Sequence, residues 1–353
     1  MTRQGDGQHH FTERNITKVK LVKTMNKNDL RIIFMGTPEF AVETLKALVD
    51  NDYHVVAVVT QPDKAVGRHA SVLQPSAVKQ YALEKGLPVL QPVKMKDPLF
   101  VEQLRSYQAN LQVVVAFRML PEVVWAMPEY GTFNVHAALL PQYRGAAPIN
   151  WAVINGETLT GVTTFFLDHD IDTGRIIQHK TFAIPDDADV AYVYDGLMHL
   201  GAALCLETLQ AIIEADGHPH TVSQDSCSSV DGSSTSAPLK PAPKIFKETC
   251  QIAWTKTAKE VYDFVRGLSP SPGAWTTLTT TDGKPTVLKI YKTLKTGLKG
   301  DGPGSISIDG KHLYISAADE KLEITFLQQE GKKRMAAVDF LNGMKDKLNA
   351  ICH

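Results

Sequence analysis

Two polar side chains stand in an otherwise apolar stretch before the middle of the chain. Residues 133–145 read FNVHAALLPQYRG, so Asn134 and His136 lie two positions apart, just ahead of a loop that contains proline and glycine. A strand is predicted over 132–136, and residues at this spacing on a strand project from the same face. An amide N–H can donate a hydrogen bond to an oxygen that gains negative charge, and an imidazole can take or give a proton near neutral pH. The pair therefore indicates chemistry at a carbonyl group.

A histidine in this role commonly has a carboxylate partner that orients it and favours its charged form. Asp172 is the best candidate, because it lies in a polar turn, DIDTG, between two predicted strands. Asp168 and Asp170 compete for this role, and the sequence alone does not rank the three. A lone Asn-x-His is also typical of a structural site, in which the asparagine bonds its own turn and the histidine is satisfied in the core.

The elements that carry these residues alternate between strand and helix patterns. Strands are predicted over 31–35, 54–60, 87–90, 111–116 and 132–136, and helices over 76–85 and 98–107. Thr37 and Pro38 are expected to supply an N-cap and a first-turn proline for a further helix that ends near Asp50. This alternation predicts an α/β fold with a doubly wound, mostly parallel sheet. Ligands of such sheets bind beyond the carboxyl ends of the strands, which is where the loop LLPQYRGAAP begins.

The second half of the chain has a different organisation. A helix over 147–154, a strand pair over 161–167 and 175–182, and a long helix over 188–214 complete the first domain, which we assign to residues 29–215. Residues 216–243 are rich in Ser, Pro, Gly and Thr, can bury almost nothing, and are expected to form a flexible linker. In residues 244–353, a helix over 258–268 precedes short predicted strands that Gly, Asp and Pro turns separate: SPSPGAW, TVLKIYKT, GPGSISIDG, KHLYISA and KLEITFLQ. These strands predict a small β-barrel or sandwich.

Composition restricts the class of protein. The 353 residues are 43% hydrophobic, which favours a globular protein of two domains. Charges or polar turns interrupt every apolar run before the roughly 20 residues that a bilayer span needs, so no membrane segment is expected. The four cysteines, Cys205, Cys227, Cys250 and Cys352, form no C-x-x-C pair, which argues against a disulfide framework and against a metal site. A reducing cytoplasmic compartment therefore fits best.

The first 28 residues are mixed and polar, and we expect them to form a disordered N-terminal extension. Because this extension carries few acidic residues, a mitochondrial transit peptide, and hence the matrix, is the alternative to the cytoplasm. Residues 241–353 contain 17 Lys+Arg against 12 Asp+Glu, which leaves 20 against 26 in residues 1–240. The basic second half suggests a polyanionic partner, although an excess this small is also typical of a solvated surface.

Three pieces of sequence, in order, resemble the signature of the folate-dependent formyltransferase family. They are Asn134-x-His136, the loop Leu139-Leu140-Pro141 with Arg144-Gly145, and Asp172-Thr173-Gly174. The resemblance implies that Asn134 and protonated His136 stabilise the oxygen of a tetrahedral intermediate while Asp172 supports the histidine and helps proton movement. It also implies a Rossmann-like catalytic domain, followed by an OB-like barrel, and 10-formyltetrahydrofolate as the formyl donor without a metal. Ala138 departs from the serine usual in relatives, and Phe117-Arg118 departs from their Tyr-Gly.

In that family the pterin binds at the strand end that corresponds to 116–120 and at the turn before Asp172. The resemblance therefore assigns the following residues to the folate site: Phe117, Arg118, Met119, Leu120, Leu139, Pro141, Asp168 and Ile171.

Two further stretches resemble the members of the family that act on tRNA. TQPD-x-x-x-GR followed by QPS-x-VK, within 60–79, is similar to their tRNA-contacting loop, and LQQEGKKRM, over 327–335, is similar to part of their second domain. The resemblance implies initiator methionyl-tRNA as partner and tRNA contacts from Lys64, Arg68, His69, Arg144, Lys244, Lys332, Lys333 and Arg334. We expect the protein to be a monomer. Of these, Arg68 is expected to insert near the acceptor stem.

The sequence is also compatible with other functions. The acceptor amine is alternatively that of a sugar nucleotide or a glycinamide nucleotide, although the glycinamide case leaves the second domain unexplained. A non-catalytic RNA-binding relative is a further alternative, which the intact Asn134, His136 and Asp172 oppose. Dinucleotide binding near Gly36 is weakly indicated, because GTPEFA lacks the G-x-G-x-x-G pattern.

Overall fold

The N-terminal half of the chain is built around one mixed sheet. The structure is a computed structural model that describes residues 24–66, 72–226, 238–279, 283, 285–344 and 352. Seven strands lie in the order β5-β2-β1-β6-β7-β8-β9, of which the first five are parallel and the last two are added antiparallel. Their bounds are β1 Ile32–Gly36, β2 Val55–Val59, β5 Val89–Leu90, β6 Leu111–Val115, β7 Thr132–His136, β8 Leu159–Phe166 and β9 Ile176–Ala183.

The central strands are buried on both faces, as their unbroken apolar runs predict. Along β1, Ile32 and Phe34 belong to one hydrophobic cluster, and Ile33 and Met35 belong to another on the opposite face. Helices cover the sheet: α1 Glu39–Asp50, α2 Ala77–Glu84, α3 Pro98–Ser106, α4 Glu122–Trp125, α5 Pro148–Ile154 and α6 Val190–Glu214. The α/β prediction is thus confirmed for this half of the chain, with an antiparallel pair at one edge.

Helix α6 corrects one expectation from the sequence. By length and composition it would suffice to cross a membrane, whereas no such run was expected. Its apolar side chains, among them Val193, Leu197 and Leu209, are part of the core cluster that also contains residues of α1. We therefore describe it as a core helix of this domain.

Two local predictions were wrong. Helix α1 begins at Glu39 with Pro38 as its N-cap, and Thr37 makes no capping hydrogen bond within the described part of the chain. The segment 60–79, predicted as a long loop, contains an antiparallel hairpin of β3 Lys64–Val66 and β4 Val72–Gln74. Arg68 and His69, which the sequence assigns to tRNA contacts, lie between these strands and outside the described residues.

The C-terminal half has a six-stranded antiparallel sheet in the order β10-β11-β14-β13-β12, with β15 paired to β14. The strands are β10 Ala274–Thr279, β11 Pro285–Lys299, β12 Ile306–Asp309, β13 His312–Ser316, β14 Glu320–Gln329 and β15 Met335–Ala336. Helices α7 Ala258–Gly267 and α8 Ala337–Met344 contribute to its core cluster. The predicted strand at SPSPGAW was wrong in its first part, because 269–273 form a turn ahead of β10.

The connection between the two halves is not a simple tether. We expected residues 216–243 to bury almost nothing, yet Gln224 and Ala242 are both buried. Val222 pairs with Ile176 at the start of β9, and Ala242 pairs with Gly145 in the loop after β7. Both ends of this connection therefore pack against the N-terminal domain, on the segments that carry the predicted site.

Candidate active site

Strand β7 brings Asn134 and His136 to one face of the sheet at its carboxyl end. Phe133 and Val135 point the other way, into the hydrophobic cluster shared with α6. The strand pairs with β6 through Val114 and Asn134, so the segment that follows β6 begins beside the site. As predicted, the pair lies at the edge of the sheet where ligands of α/β proteins bind.

The imidazole of His136 is oriented by a backbone carbonyl. Its side chain is 6% exposed, and Nε2 lies 2.9 Å from the carbonyl oxygen of Tyr143. A carbonyl can only accept a hydrogen bond, so Nε2 carries the hydrogen and donates it. Nδ1 is therefore the nitrogen that is left to face a substrate.

Asp172 lies on the Nδ1 side of the same imidazole. Its Oδ2 is 3.8 Å from Nδ1, and it accepts a hydrogen bond of 2.9 Å from the backbone N–H of Gly145. The 3.8 Å separation lies within ion-pair range but exceeds a hydrogen bond. The residue has φ of 56°, a backbone conformation that costs free energy for any residue other than glycine. The carboxylate is thus aimed by its turn and by the loop after β7.

The competing carboxylates are placed elsewhere. Asp168 and Asp170 are exposed, and Asp168 accepts from the neighbouring backbone N–H of His169 instead. The structure therefore brings Asp172 to the histidine, where the sequence alone left three candidates.

The amide of Asn134 has a different environment from the other two groups. The side chain is partly exposed, and it makes no hydrogen bond with any residue in the described ranges. A structural asparagine that bonds its own turn, the alternative reading of this position, is not what the structure contains. The N–H groups of this amide remain available to an oxygen of a ligand.

Tyr143, whose carbonyl orients His136, is itself held at both ends. Its hydroxyl donates to Glu157 Oε1 at 2.5 Å, and Glu157 Oε1 also accepts from Lys240 Nζ at 2.6 Å. Its backbone N–H donates to the carbonyl of Lys240 at 2.7 Å. Burial, followed by the hydrogen bond to Glu157, raises the pKa of the Tyr143 phenol above its ordinary value.

Arg144 is the predicted tRNA contact nearest to the site. Its guanidinium donates twice to Gln224 Oε1, at 3.0 and 2.7 Å. Gln224 was not predicted to contribute to the site, because it lies in a polar connection without any pattern that marks a function. Tyr143 was missed for another reason: its contribution is a backbone carbonyl, which no residue type reveals.

The predicted folate segment after β6 presents a mixture of buried and exposed groups. Leu120 is buried and Met119 is 70% exposed. The guanidinium of Arg118 donates to the carbonyls of Pro92 and Val93 and lies 5.7 Å from the ring centre of Phe117. Burial lowers the pKa of Arg118 below its ordinary value. Arg118 thus ties the segment after β6 to the segment after β5.

The remaining predicted folate residues flank the site from its other side. Leu139 and Pro141 are partly buried in the loop after β7, and Ile171 is 56% exposed beside Asp172. Exposed apolar side chains at Met119 and Ile171 stand on the two segments that border the site, which offers apolar surface to a flat ligand.

The other predicted tRNA residues are spread over both domains. Lys64 is exposed on β3, and Lys244 lies 5.3 Å from the ring centre of Phe246. Lys332, Lys333 and Arg334 are exposed between β14 and β15. Arg334 lies 4.0 Å from the ring centre of Tyr291 and donates to the carbonyl of Pro270 at 2.7 Å.

Among the residues that the structure describes, no group of three or more His, Cys, Asp or Glu side chains could hold a metal ion. A cleft of about 370 Å³ lies between the domains, lined mainly by α5, α7 and the segment 251–256. Its lining does not include Asn134, His136 or Asp172. We therefore place the candidate chemistry at the carboxyl end of β7, outside this cleft.

Sequence models of known families match both halves of the chain. The one described as formyl transferase matches residues 30–209, and the one described as formyl transferase, C-terminal domain, matches residues 244–345. The chain belongs to the formyl transferase family.

Relatives with curated names extend this assignment over nearly the whole chain. A methionyl-tRNA formyltransferase of Parabacteroides distasonis is 57% identical over 323 residues, which are 91% of this chain and 98% of that protein. Another, of Bacteroides fragilis, is 53% identical over 321 residues, which are 90% of this chain and 96% of that protein.

Solved structures with the same fold are more distant. HypX from Aquifex aeolicus, in complex with tetrahydrofolic acid, is 19% identical with a TM-score of 0.57; the alignment covers 88% of this chain and 47% of HypX. An N-formyltransferase from Helicobacter canadensis, in complex with folinic acid and dTDP-3-aminofucose, is 20% identical with a TM-score of 0.57 and covers 84% of this chain and 98% of that one. At such identities the likeness concerns the fold.

Proposed function

We propose that this protein transfers the formyl group of 10-formyltetrahydrofolate to the α-amino group of methionyl-initiator-tRNA, which supplies formylmethionyl-tRNA for the start of translation. The observation that carries the proposal is the approach of His136 Nδ1 to Asp172 at 3.8 Å, beside the unbonded amide of Asn134. Relatives of more than 50% identity named methionyl-tRNA formyltransferase support the choice of acceptor.

The reaction forms a bond between the amine nitrogen and the formyl carbon and breaks the bond from that carbon to the donor nitrogen. During transfer the formyl oxygen gains negative charge, and the amide of Asn134 is available to donate to it. The attacking amine loses a proton and the leaving nitrogen gains one. His136 Nδ1 and the carboxylate of Asp172 face each other across the site, so they are the groups that carry this proton.

The folate co-substrate supplies the formyl group when bound. We assign its pterin to the carboxyl ends of β6 and β7, between the segment 116–120 and the turn before Asp172. Support comes from the pairing of β6 with β7, which brings both segments to one edge, and from the exposed apolar side chains of Met119 and Ile171. Binding there needs no metal, because the proposed chemistry is carried by an amide, an imidazole and a carboxylate.

For the tRNA we assign contacts to both domains. Lys64 and the neighbouring Arg68 and His69 are assigned to the acceptor arm, and Lys244 with Lys332, Lys333 and Arg334 to the phosphate backbone. The C-terminal antiparallel sheet is proposed to form an OB-like barrel, a fold that commonly holds single strands in a cationic groove. Each phosphate contact of this kind makes affinity fall as salt rises. We further propose a monomer in the cytoplasm.

The decisive experiment follows label from formyltetrahydrofolate to candidate acceptors. Initiator methionyl-tRNA, elongator methionyl-tRNA, a dTDP-amino sugar and glycinamide ribonucleotide are each incubated with the protein. We expect label on initiator methionyl-tRNA alone. Label on the sugar or glycinamide nucleotide instead would show that the proposed acceptor is wrong. Label on none of the acceptors, at donor concentrations that saturate binding, would exclude formyl transfer to them.

A further inference from the structure

A buried glutamine outside the family signature connects the DIDTG turn, which contains Asp172, with the loop after β7, which binds the Asp172 carboxylate. Gln224 is 5% exposed and lies in the connection between the domains. Its Nε2 donates to the carbonyls of Asp172 and Gly174, both at 2.8 Å. Its Oε1 accepts both hydrogen bonds from Arg144. A primary amide can donate twice and accept twice, so this side chain is fully satisfied.

These bonds close a ring around the carboxylate. Arg144 is followed in the chain by Gly145, whose N–H donates to Asp172 Oδ2 at 2.9 Å. Gln224 thus holds the backbone of Asp172 on one side and the residue before its hydrogen-bond donor on the other. The ring fixes the carboxylate from both directions.

The same ring holds a strained backbone in place. Asp172 has φ of 56°, and such a conformation persists where the surroundings over-determine it. The donated bond to its carbonyl is one of those constraints. The bond from Gln224 to the carbonyl of Gly174 is buried, and a buried carbonyl that loses its donor is costly, so removal of this amide favours a different path for the turn.

We propose that Gln224 is a positioning residue for formyl transfer: it sets the distance between the Asp172 carboxylate and His136 by joining the DIDTG turn to the loop after β7. The inference rests on the proposed function where it is tested by kinetics. A second test uses the NMR resonances of the His136 imidazole and does not depend on that function. Gln224 itself does not touch the reacting atoms.

The variant Gln224→Glu keeps the hydrogen bonds that this side chain accepts and removes those that it donates. A carboxylate still accepts from Arg144, but it cannot donate to the carbonyls of Asp172 and Gly174. We expect kcat to fall about 10- to 100-fold, as the loss of one or two buried hydrogen bonds near the chemistry would give. The KM values for tRNA and folate should change less than about threefold, because Arg144 keeps its acceptor. An unchanged kcat would overturn the proposal.

The matched control is Gln210→Ala. Gln210 is an exposed glutamine on α6 whose amide donates only to Glu214, at 2.8 Å, within the described residues. This variant should keep the kcat and both KM values of the unmodified protein. All assays are run at least 15 °C below each variant's unfolding midpoint, so that loss of folded protein does not enter kcat.

A double-mutant cycle tests whether Gln224 acts through Asp172. In the Asp172→Asn background, Gln224→Glu should lower kcat less than about twofold, because the group that it positions has already been changed. A further fall as large as in the unmodified protein would show an independent route and would overturn the proposal.

The third measurement does not depend on turnover. In protein labelled with ¹⁵N-histidine, the His136 imidazole resonances should move in Gln224→Glu toward their positions in Asp172→Asn and stay in place in Gln210→Ala. Unmoved resonances in Gln224→Glu would overturn the positioning role. If the unmodified protein formylates no acceptor, the proposed function fails, and this spectrum still tests the ring.

Discussion

At the scale of single residues, the site depends on which nitrogen of His136 remains for chemistry. The carbonyl of Tyr143 binds Nε2, so Nδ1, on the side of Asp172, is the nitrogen that we propose for proton exchange with a substrate. The histidine is therefore oriented by the loop that follows its own strand. Asp172 is left to act on the substrate side of the ring, whereas the sequence suggested it mainly as the orienting group.

Replacement of His136 by Ala should lower kcat by a factor on the order of 10² to 10⁴, because acid–base help by a positioned side chain typically contributes that much. Single-turnover formylation of initiator methionyl-tRNA measures this effect directly. His179→Ala is the control, since His179 is exposed on β9. Turnover within a few-fold of the unmodified protein would remove His136 from the mechanism.

Gly145 is required at its position for two reasons. Its φ is 129°, and a Cβ added there would lie 2.5 Å from the carbonyl oxygen of Ala242. Gly145→Ala should therefore shift the loop, weaken the N–H contact to Asp172, and lower kcat at least about tenfold, which is roughly 1.4 kcal/mol of activation free energy.

Gly86→Ala is a matched control for Gly145→Ala. Gly86 has a positive φ of 67° as well, but an added Cβ meets nothing within 4 Å. Both variants share backbone strain, and only the first forces contact with Ala242. Urea unfolding and kcat together separate the effects, and equal kcat values for the two variants would contradict the argument.

The sequence predicted the candidate residues whose side chains are reactive, and it missed those that orient them through hydrogen bonds. Asn134, His136 and Asp172 were found because their side chains are unusual in apolar surroundings and match a known signature. Gln224 could not be found this way, because a glutamine in a polar connection has no periodicity to mark it. Its burial depends on contacts with residues about 80 and 50 positions away.

At the scale of elements, the loop after β7 is stabilised as if it were an edge strand. Tyr143 donates to the carbonyl of Lys240, Ala242 donates to that of Arg144, and Ala146 donates to that of Ala242. The segment 240–242 therefore pairs with 143–146 through backbone groups alone. Almost any residue type can make such bonds, which is why composition misidentified this segment as part of a free linker.

The phenol of Tyr143 predicts a pH dependence of stability. Because burial raises its pKa in the folded protein, the neutral form stabilises the fold at pH values below the ordinary tyrosine pKa of about 10, and this contribution is lost as pH rises through the raised value. The free energy of unfolding should therefore fall between about pH 9 and 11 less steeply in Tyr143→Phe than in the unmodified protein. Tyr192→Phe, which changes an exposed tyrosine, should keep the original slope.

Three of the four predicted tRNA contacts of the first domain, Lys64, Arg68 and His69, belong to the segment of β3 and β4. Arg68 lies between these strands, outside the described residues, and its role stays a prediction from the sequence. Arg68→Ala should raise the KM for initiator methionyl-tRNA more than the KM for folate. Steady-state kinetics with each substrate varied in turn measure the two values, and an unchanged tRNA KM would refute the role. Leu73→Ala, an exposed position on β4 without charge, is the control.

At the scale of the whole molecule, the two domains are joined by specific polar contacts. Asn150 on α5 donates to the carbonyl of Gly267 at 2.8 Å, and Tyr262 donates to that of Asp186 at 3.0 Å. Lys295 on β11 forms an ion pair with Asp186 and lowers the pKa of that carboxyl. The glycine at 267 allows α5 and α7 to approach closely, since an added Cβ would meet Ile154 at 2.6 Å.

Arg266 is the buried centre of this interface. It donates to Asp263 at 2.8 Å and to the carbonyl of Ala188, across the interface, at 2.9 Å. Arg266→Ala should lower the free energy of unfolding by roughly 3 kcal/mol, near the low end for a broken buried pair, because Lys259 still pairs with Asp263.

The same change should raise the KM for tRNA, which is assigned to both domains, and leave the folate KM within about twofold. Arg105→Ala, which removes an exposed pair with Glu102 on α3, should change neither stability nor KM appreciably. A loss of stability without any rise in tRNA KM would show that the domains do not need this alignment to hold tRNA.

The sequence predicted more of the sheet than of the way the halves meet. Apolar runs and the alternation of strand and helix patterns predicted the parallel strands and the β8–β9 pair. Burial of a strand on one or two faces leaves a recognisable pattern of apolar residues in the sequence. Helix α8 and the contacts of Arg266 left no such pattern, since a few hydrogen bonds to backbone carbonyls determine the docking.

The burial of Gln224 and Ala242 also limits how members of this family can be recombined. A chimera cut at residue 215 would give the loop after β7 a foreign glutamine and a foreign partner segment at 240–242, although the cut follows the apparent domain boundary. A cut after residue 243 keeps Gln224, Lys240 and Ala242, which contact this loop, with their original parent. The part of the chain that has to come from one parent therefore extends from the first domain to residue 242, next to the start of the second domain at 244.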